Sequence, residues 1–185
     1  MNERSLERSN IYLCGFMATG KSSVGKRLAS MLDYDFLDMD TVIEKEAGMS
    51  IPQIFSSRGE PVFRRLESDL VHRLAAQSGK VVATGGGTIA NPKNLEILKN
   101  SGTVITLTAD PDTILLRVGS GEDRPMLKGE NKAKRIASLM KERSHAYAQA
   151  DLTVDTSSLS IYAVARHISV ILGRIPQRVS RKSPA

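Results

Sequence analysis

The chain has 185 residues, a formal charge of +6, one cysteine, no tryptophan and 4% aromatic residues. That length suits one domain with a full core, and a single thiol excludes an intrachain disulfide and fits a reducing cytosol. The basic residues are scattered and aromatic ones scarce, which argues against a stacking surface for single-stranded nucleic acid; a basic enzyme acting on anionic substrates gives the same balance.

Residues 1–10 read as a polar N-terminal extension. Met1–Arg8 is mixed in charge and lacks the apolar core of a secretory signal. No run approaches the ~18 apolar residues of a membrane span. The expectation is a cytoplasmic protein with no membrane and no nucleic-acid partner. No oligomerisation stripe stands out, so a monomer is expected.

Asn10–Cys14 reads as a short buried strand. It runs into Gly15-Phe16-Met17-Ala18-Thr19-Gly20-Lys21-Ser22, which fits G-x-x-x-x-G-K-[ST], the phosphate-cradling P-loop. Gly15 and Gly20 free the backbone to turn its N–H groups inward, and the helix that follows adds a positive dipole end. Lys21 should reach the β/γ-phosphates and the Ser22 hydroxyl should sit on Mg²⁺. Cys14, inside the strand, reads as core packing.

Lys21–Leu32 reads as a helix with Val24, Leu28 and Met31 on one face. Tyr34–Leu37 is a second strand, ending in Asp38-Met39-Asp40, and Thr41–Ala47 is helical with Gly48 as its stop. Ser50 caps a short helix, Ile51–Ser57, which Gly59 breaks. Pro61 suits the first turn of a helix reaching about Gln77, with Val62, Phe63, Leu66, Leu70 and Leu74 at helical spacing. Lys80–Ala83 is a third strand and leads to Thr84-Gly85-Gly86-Gly87. A helix from Pro92, a strand over Thr103–Leu107 and a helix opened by Asp110-Pro111 follow. Residues 118–130 are rich in Gly and charge and read as a mobile lid. Lys132–Gln149 is helical, Asp151–Val154 is a fifth strand, and Ile161–Leu172 is a closing helix. Residues 174–185 form a basic C-terminal tail.

Five short apolar strands alternating with helices predict one α/β domain over residues 11–173. Its expected form is a P-loop fold with a five-stranded parallel sheet covered on both faces. Ligands of such sheets bind at the carboxyl ends of the strands, and the unusual residues fall there. Asp38 and Asp40, one residue apart at a strand exit, would point to one side in extended geometry and could serve Mg²⁺ or a substrate hydroxyl. The third strand ends without an acid, so Asp38 is the nearest candidate for the metal. Arg64 and Glu67 share a helix face, and an Arg steadied by Glu can present its fork to a ligand carboxylate; an ordinary surface ion pair is the plainer alternative. Gly85, Gly86 and Gly87 suggest close approach of a ligand to bare backbone. Arg124 in the lid could stabilise charge on a transferring phosphoryl group, and Arg143, near Tyr147, could face the cleft. His72, His145 and His167 have no metal-ligand spacing and read as surface or packing residues.

Taken together, the P-loop, Asp38-Met39-Asp40, Phe63-Arg64-x-x-Glu67, Gly85-Gly86-Gly87, Arg124-Pro125 and Arg143-x-x-x-Tyr147 resemble the shikimate kinases, over nearly the whole chain from Ile11 to about Leu172. The resemblance implies a P-loop kinase fold. It also implies transfer of the γ-phosphoryl of ATP to the 3-hydroxyl of shikimate, with Mg²⁺, in aromatic biosynthesis. By position it assigns the ATP phosphates to Ala18, Thr19, Gly20, Lys21, Ser22, Ser23 and Arg124, and sets Arg117 beside the adenine. Mg²⁺ would sit on Ser22 directly and on Asp38 through water. Shikimate would meet Asp40, Arg64, Glu67, Gly85, Gly86, Gly87 and Arg143, and catalysis would rest on Lys21, Asp40 and Arg124. The chain departs from the pattern at Ala18-Thr19, where many members carry a further glycine or small pair. Residues 155–160 also lack the Arg and Pro that often edge the adenine. A gluconate or nucleoside monophosphate kinase of the same fold, and a non-catalytic nucleotide-sensing module, are the competing readings.

Overall fold

β1 (Asn10–Gly15) is buried along its whole length, and its alternating side chains set the layering. The computed structural model describes residues 9–119 and 131–174. Tyr12 and Cys14 pack on one side of the sheet with Val82 and Val104. Ile11 and Leu13 pack on the other with Val81, Ile105 and Leu107. Both faces of the strand are therefore apolar, as a sheet covered twice requires.

β1 is flanked by β3 (Lys80–Ala83) and β4 (Gly102–Thr108), with β2 (Asp35–Asp38) and β5 (Leu152–Asp155) at the edges. The order is β2-β3-β1-β4-β5, and every pairing is parallel. α1 (Lys21–Leu32) and α8 (Ile161–Ile171) cover one face through Val24, Leu28, Val164 and Ile168. α2 (Met39–Ala47), α3 (Ile51–Arg58), α4 (Glu60–Ala75) and α5 (Pro92–Ser101) cover the other. α6 (Pro111–Val118) and α7 (Lys132–Ala148) close over Phe16 with Ile114, Ile136 and Leu139. The expected P-loop α/β architecture is what forms. Pro opens α3, α4, α5 and α6 in the first turn, where its missing N–H costs nothing. Asn10, fully buried, donates to Gln77 O at 2.9 Å and accepts from Lys80 N at 3.0 Å, tying β1 to the α4–β3 connection.

Three expectations are revised. β2 does not extend as far as Asp40: α2 begins at Met39, and Asp38 caps it, its Oδ1 accepting from Asp40 N at 3.1 Å. A carboxylate that satisfies an orphan helix N–H ends the strand there. Asp38 and Asp40 thus converge through a helix cap and not through a shared strand face. In α4, Val62 points outward, 37% exposed, and Val71 takes its place in the buried stripe with Phe63, Leu70 and Leu74. Glu67 lies on that same stripe and is only 1% exposed. A short 3₁₀ turn, Thr88–Ala90, also follows the three glycines where none was expected.

Candidate active site

The carboxyl ends of β1, β2 and β3 open into a cleft of about 610 Å³. Its floor on one side is the P-loop. Gly15 has φ of 131° and lies against Leu107 O with no room for a Cβ, while Gly20 has φ of 93° and leads into α1. Ala18 also sits in the left-handed region, at φ of 60°, a conformation that costs a non-glycine residue about 1 kcal/mol. Lys21 Nζ donates to Gly15 O at 3.0 Å and Phe16 O at 2.9 Å, so the ammonium folds over the mouth of its own loop. Thr19 is buried, its hydroxyl donating to Phe16 O, and its side chain faces away from the cleft. Ala18, Gly20, Ser22 and Ser23 line it.

The acids follow. Ser22 Oγ donates to Asp38 Oδ2 at 2.5 Å, bringing the first turn of α1 against the end of β2. Asp40 lies beside them, and its Oδ1 is buried with no hydrogen-bond partner among the described residues. Burial, and then the neighbouring Asp38 carboxylate, push the Asp40 carboxyl up to about 6. A buried acceptor without a donor is costly unless a ligand completes it.

In the same cleft, α4 and α7 bring two guanidinium groups to the turn beyond β3. Arg64 Nη1 donates to Glu67 Oε2 at 2.5 Å. Glu67 Oε1 accepts from Thr88 Oγ1 at 2.7 Å, and Thr88 O accepts from Asn94 Nδ2 at 3.1 Å. The buried glutamate is thus held from both sides, as a buried charge must be. On the far wall Arg143 Nη1 and Tyr147 Oη both donate to Gly86 O, at 3.1 and 2.7 Å. Phe55 and Phe63, with ring centroids 4.9 Å apart, line the apolar side.

The structure adds a reason for glycine in this turn. None needs a left-handed φ; a Cβ on Gly85 would collide with Glu67 Oε1, and one on Gly87 would lie 2.7 Å from Arg64 Nη1. The bare backbone makes room first for the protein's own charged side chains.

Arg117 lies away from this cleft. It donates to Ala18 O at 3.3 Å and to Thr156 O at 2.6 Å. Thr156, in the stretch marked as a departure, therefore anchors this arginine against the P-loop. Arg124, with residues 120–130 of the expected lid, lies outside the described residues. Burial pushes the Cys14 thiol up to about 11, which keeps it a packing residue. His72, His145 and His167 are exposed. Thr88 and Thr156 were missed because threonines carry no recognisable spacing. The only signal was position: Thr156 directly follows β5, and Thr88 follows the three glycines beyond β3.

The chain resembles known proteins along most of its length. The family model for shikimate kinase matches residues 17–172. A shikimate kinase of Geobacter sulfurreducens is 45% identical over 163 residues, 88% of this chain and 90% of that protein. The solved structure of a shikimate kinase from Acinetobacter baumannii, in complex with shikimate, superposes with a TM-score of 0.85 at 37% identity, covering 89% of this chain and 93% of its own. A gluconokinase from Sinorhizobium meliloti superposes with a TM-score of 0.58 at 15% identity, and shares the fold alone. With the match running from the P-loop to α8, the chain belongs to the shikimate kinase family.

Proposed function

We propose that this protein transfers the γ-phosphoryl group of ATP to the 3-hydroxyl of shikimate, giving shikimate 3-phosphate, and that Lys21, Asp40 and Arg124 are the groups closest to the transfer. One observation carries the reading. Arg64 and Arg143 converge on a single glycine turn, in the same 610 Å³ cleft as a P-loop and its Ser22–Asp38 pair. Two guanidinium forks suit one small carboxylate, and a phosphate cradle suits a nucleotide.

ATP phosphates would take the loop amides from Ala18 to Ser23 together with Lys21, whose ammonium would exchange the carbonyls of Gly15 and Phe16 for phosphate oxygens. Ser22 Oγ and Asp38 Oδ2 are hard oxygens already held together, a donor set that fits Mg²⁺. When bound there, Mg²⁺ neutralises charge on the phosphates. Asp40 Oδ1 would gain the donor it lacks from a shikimate hydroxyl and align that oxygen for in-line attack. Phosphoryl transfer passes through a loose transition state, so alignment and charge neutralisation matter more than base strength. Arg64 and Arg143 would clamp the carboxylate, with Glu67 fixing Arg64 and Gly85, Gly86 and Gly87 forming the bed beneath. Arg124 would meet the phosphates from the lid, and Arg117 would lie beside the adenine.

The reading also makes the protein a cytoplasmic monomer without membrane or nucleic-acid partners; among the described residues no helix is long and apolar enough to cross a membrane. The test is ADP release with and without shikimate, run beside gluconate and nucleoside monophosphates. Turnover with gluconate and not with shikimate would replace the acceptor while leaving the kinase chemistry intact.

A further inference from the structure

Arg64 is held by two carboxylates that differ sharply in how firmly they are fixed. Glu67 is 1% exposed, grips Nη1 and is itself gripped by Thr88. Glu60, four residues before Arg64 on the outer side of α4, is 57% exposed. Its Oε1 accepts from both Nε and Nη2, at 3.0 and 2.8 Å, and Arg64 is its one ion-pair partner among the described residues. Glu60 therefore occupies the Nε/Nη2 edge of the guanidinium, one of the two-donor edges on which arginine binds carboxylates.

Two acids on one guanidinium offset its pull on a third carboxylate, so that Arg143 supplies more of the attraction as the ligand approaches. Glu67 cannot leave without stranding a buried charge. Glu60 can, because an exposed ion pair gives up little when it opens to water. We propose that Glu60 is an internal stand-in for the ligand: it holds the Nε/Nη2 edge of Arg64 while the cleft is empty, yields it to the carboxylate of the incoming acid, and so lowers the affinity for carboxylate ligands. The proposal rests on the functional reading above, since it takes Arg64 as the carboxylate clamp.

The test is titration calorimetry of the full chain, without nucleotide, comparing wild type with Glu60→Gln. The probes are shikimate and its carboxamide, which keeps the ring and hydroxyls but has no negative charge. The variant keeps the side-chain shape and an acceptor oxygen but removes the competing charge. The Kd for shikimate should tighten about threefold to fivefold, the equilibrium counterpart of an exposed ion pair. The gap should shrink at 1 M salt, where ~3 Å screening weakens exposed pairs, and the carboxamide should bind both proteins equally. Weaker shikimate binding in Glu60→Gln would instead make Glu60 a strap that orients Arg64, and would overturn the proposal. An unchanged Kd would overturn it as well. Wild-type protein that binds no shikimate at all removes the functional reading and this one together, whereas normal wild-type binding with a variant of equal Kd removes the Glu60 inference alone.

Discussion

Glu67 Oε1 fills the space that a side chain on Gly85 would need. The glutamate belongs to α4 and the glycine to the exit of β3, and a threonine on the same turn, Thr88, donates to that oxygen. Gly85→Ala must push Glu67 aside and disturb its grip on Arg64 and Thr88. A forced rearrangement of this kind costs about 1–3 kcal/mol, or a fall in Tm of several degrees for a chain this long. The KM for shikimate should rise with it. Gly86→Ala meets only the far end of Arg143, 3.2 Å away, so its Tm should move less while its KM still rises. Thermal melts and steady-state kinetics of the two variants check the ordering. Equal Tm values would mean that Glu67 moves as freely as Arg143.

The Ser22–Asp38 pair separates metal chemistry from stability. The bond lies at the surface of the cleft, so Ser22→Ala should cost the free protein under ~1 kcal/mol. Its kcat should nevertheless fall, roughly 100- to 1000-fold, as for other losses of a group that stabilises transition-state charge. Extra Mg²⁺ should recover part of that loss. Ser22→Thr keeps the hydroxyl and fits the same loop pattern, and should keep most of the activity. Measuring the rate against Mg²⁺ concentration for both variants checks the assignment; a Ser22→Ala enzyme with an ordinary Mg²⁺ dependence would move the metal elsewhere.

Much of this was readable from local signals. The strands showed as short apolar runs, and Pro61, Pro92 and Pro111 marked helix starts because only first-turn geometry tolerates them. What escaped was set by partners distant in sequence. Asp38 does close β2, but its carboxylate caps α2 and so takes Asp40 off the strand, a contact that the local pattern does not show. The Cβ space beside Gly85 and Gly87 is taken by Glu67 and Arg64, about twenty residues earlier in the chain, which no local spacing shows. Glu67 sat on an apolar stripe, a local conflict that only the Thr88 and Arg64 contacts resolve. Such local conflicts are expected where a site was built.

Gly86 O accepts from Tyr147 and Arg143 together. Tyr147→Phe removes the shorter bond and leaves Arg143 to hold the turn alone. The half-buried carbonyl keeps one donor, so the loss should be about 1 kcal/mol. The effect on function should appear in KM for shikimate, raised a few-fold as Arg143 loses its companion on the turn, with the KM for ATP unmoved. A change confined to ATP would place Tyr147 with the nucleotide instead.

Asp40 sets activity and stability against each other. Its folded pKa of about 6 stands above the ordinary 3.8, chiefly through burial and then through Asp38. The native state therefore favours the protonated carboxyl. The stability this contributes is fully present below about pH 3.8 and is lost as pH rises through about 6. Asp40→Asn removes that titration. The variant should melt close to wild type near pH 4 and become the more stable protein above pH 6.5, by roughly 1–3 kcal/mol after allowance for residual solvent screening. Activity should run the other way. A shikimate hydroxyl needs the ionised carboxylate, so wild-type kcat/KM should fall as pH drops through about 6, and the Asn variant should be slow throughout and lack that limb. Paired melts and rate profiles from pH 4.5 to 8.5 read both effects. An Asn variant less stable than wild type at pH 8 would show that the lone Asp40 oxygen is satisfied in solution, and that its carboxylate is not held in strain for the substrate.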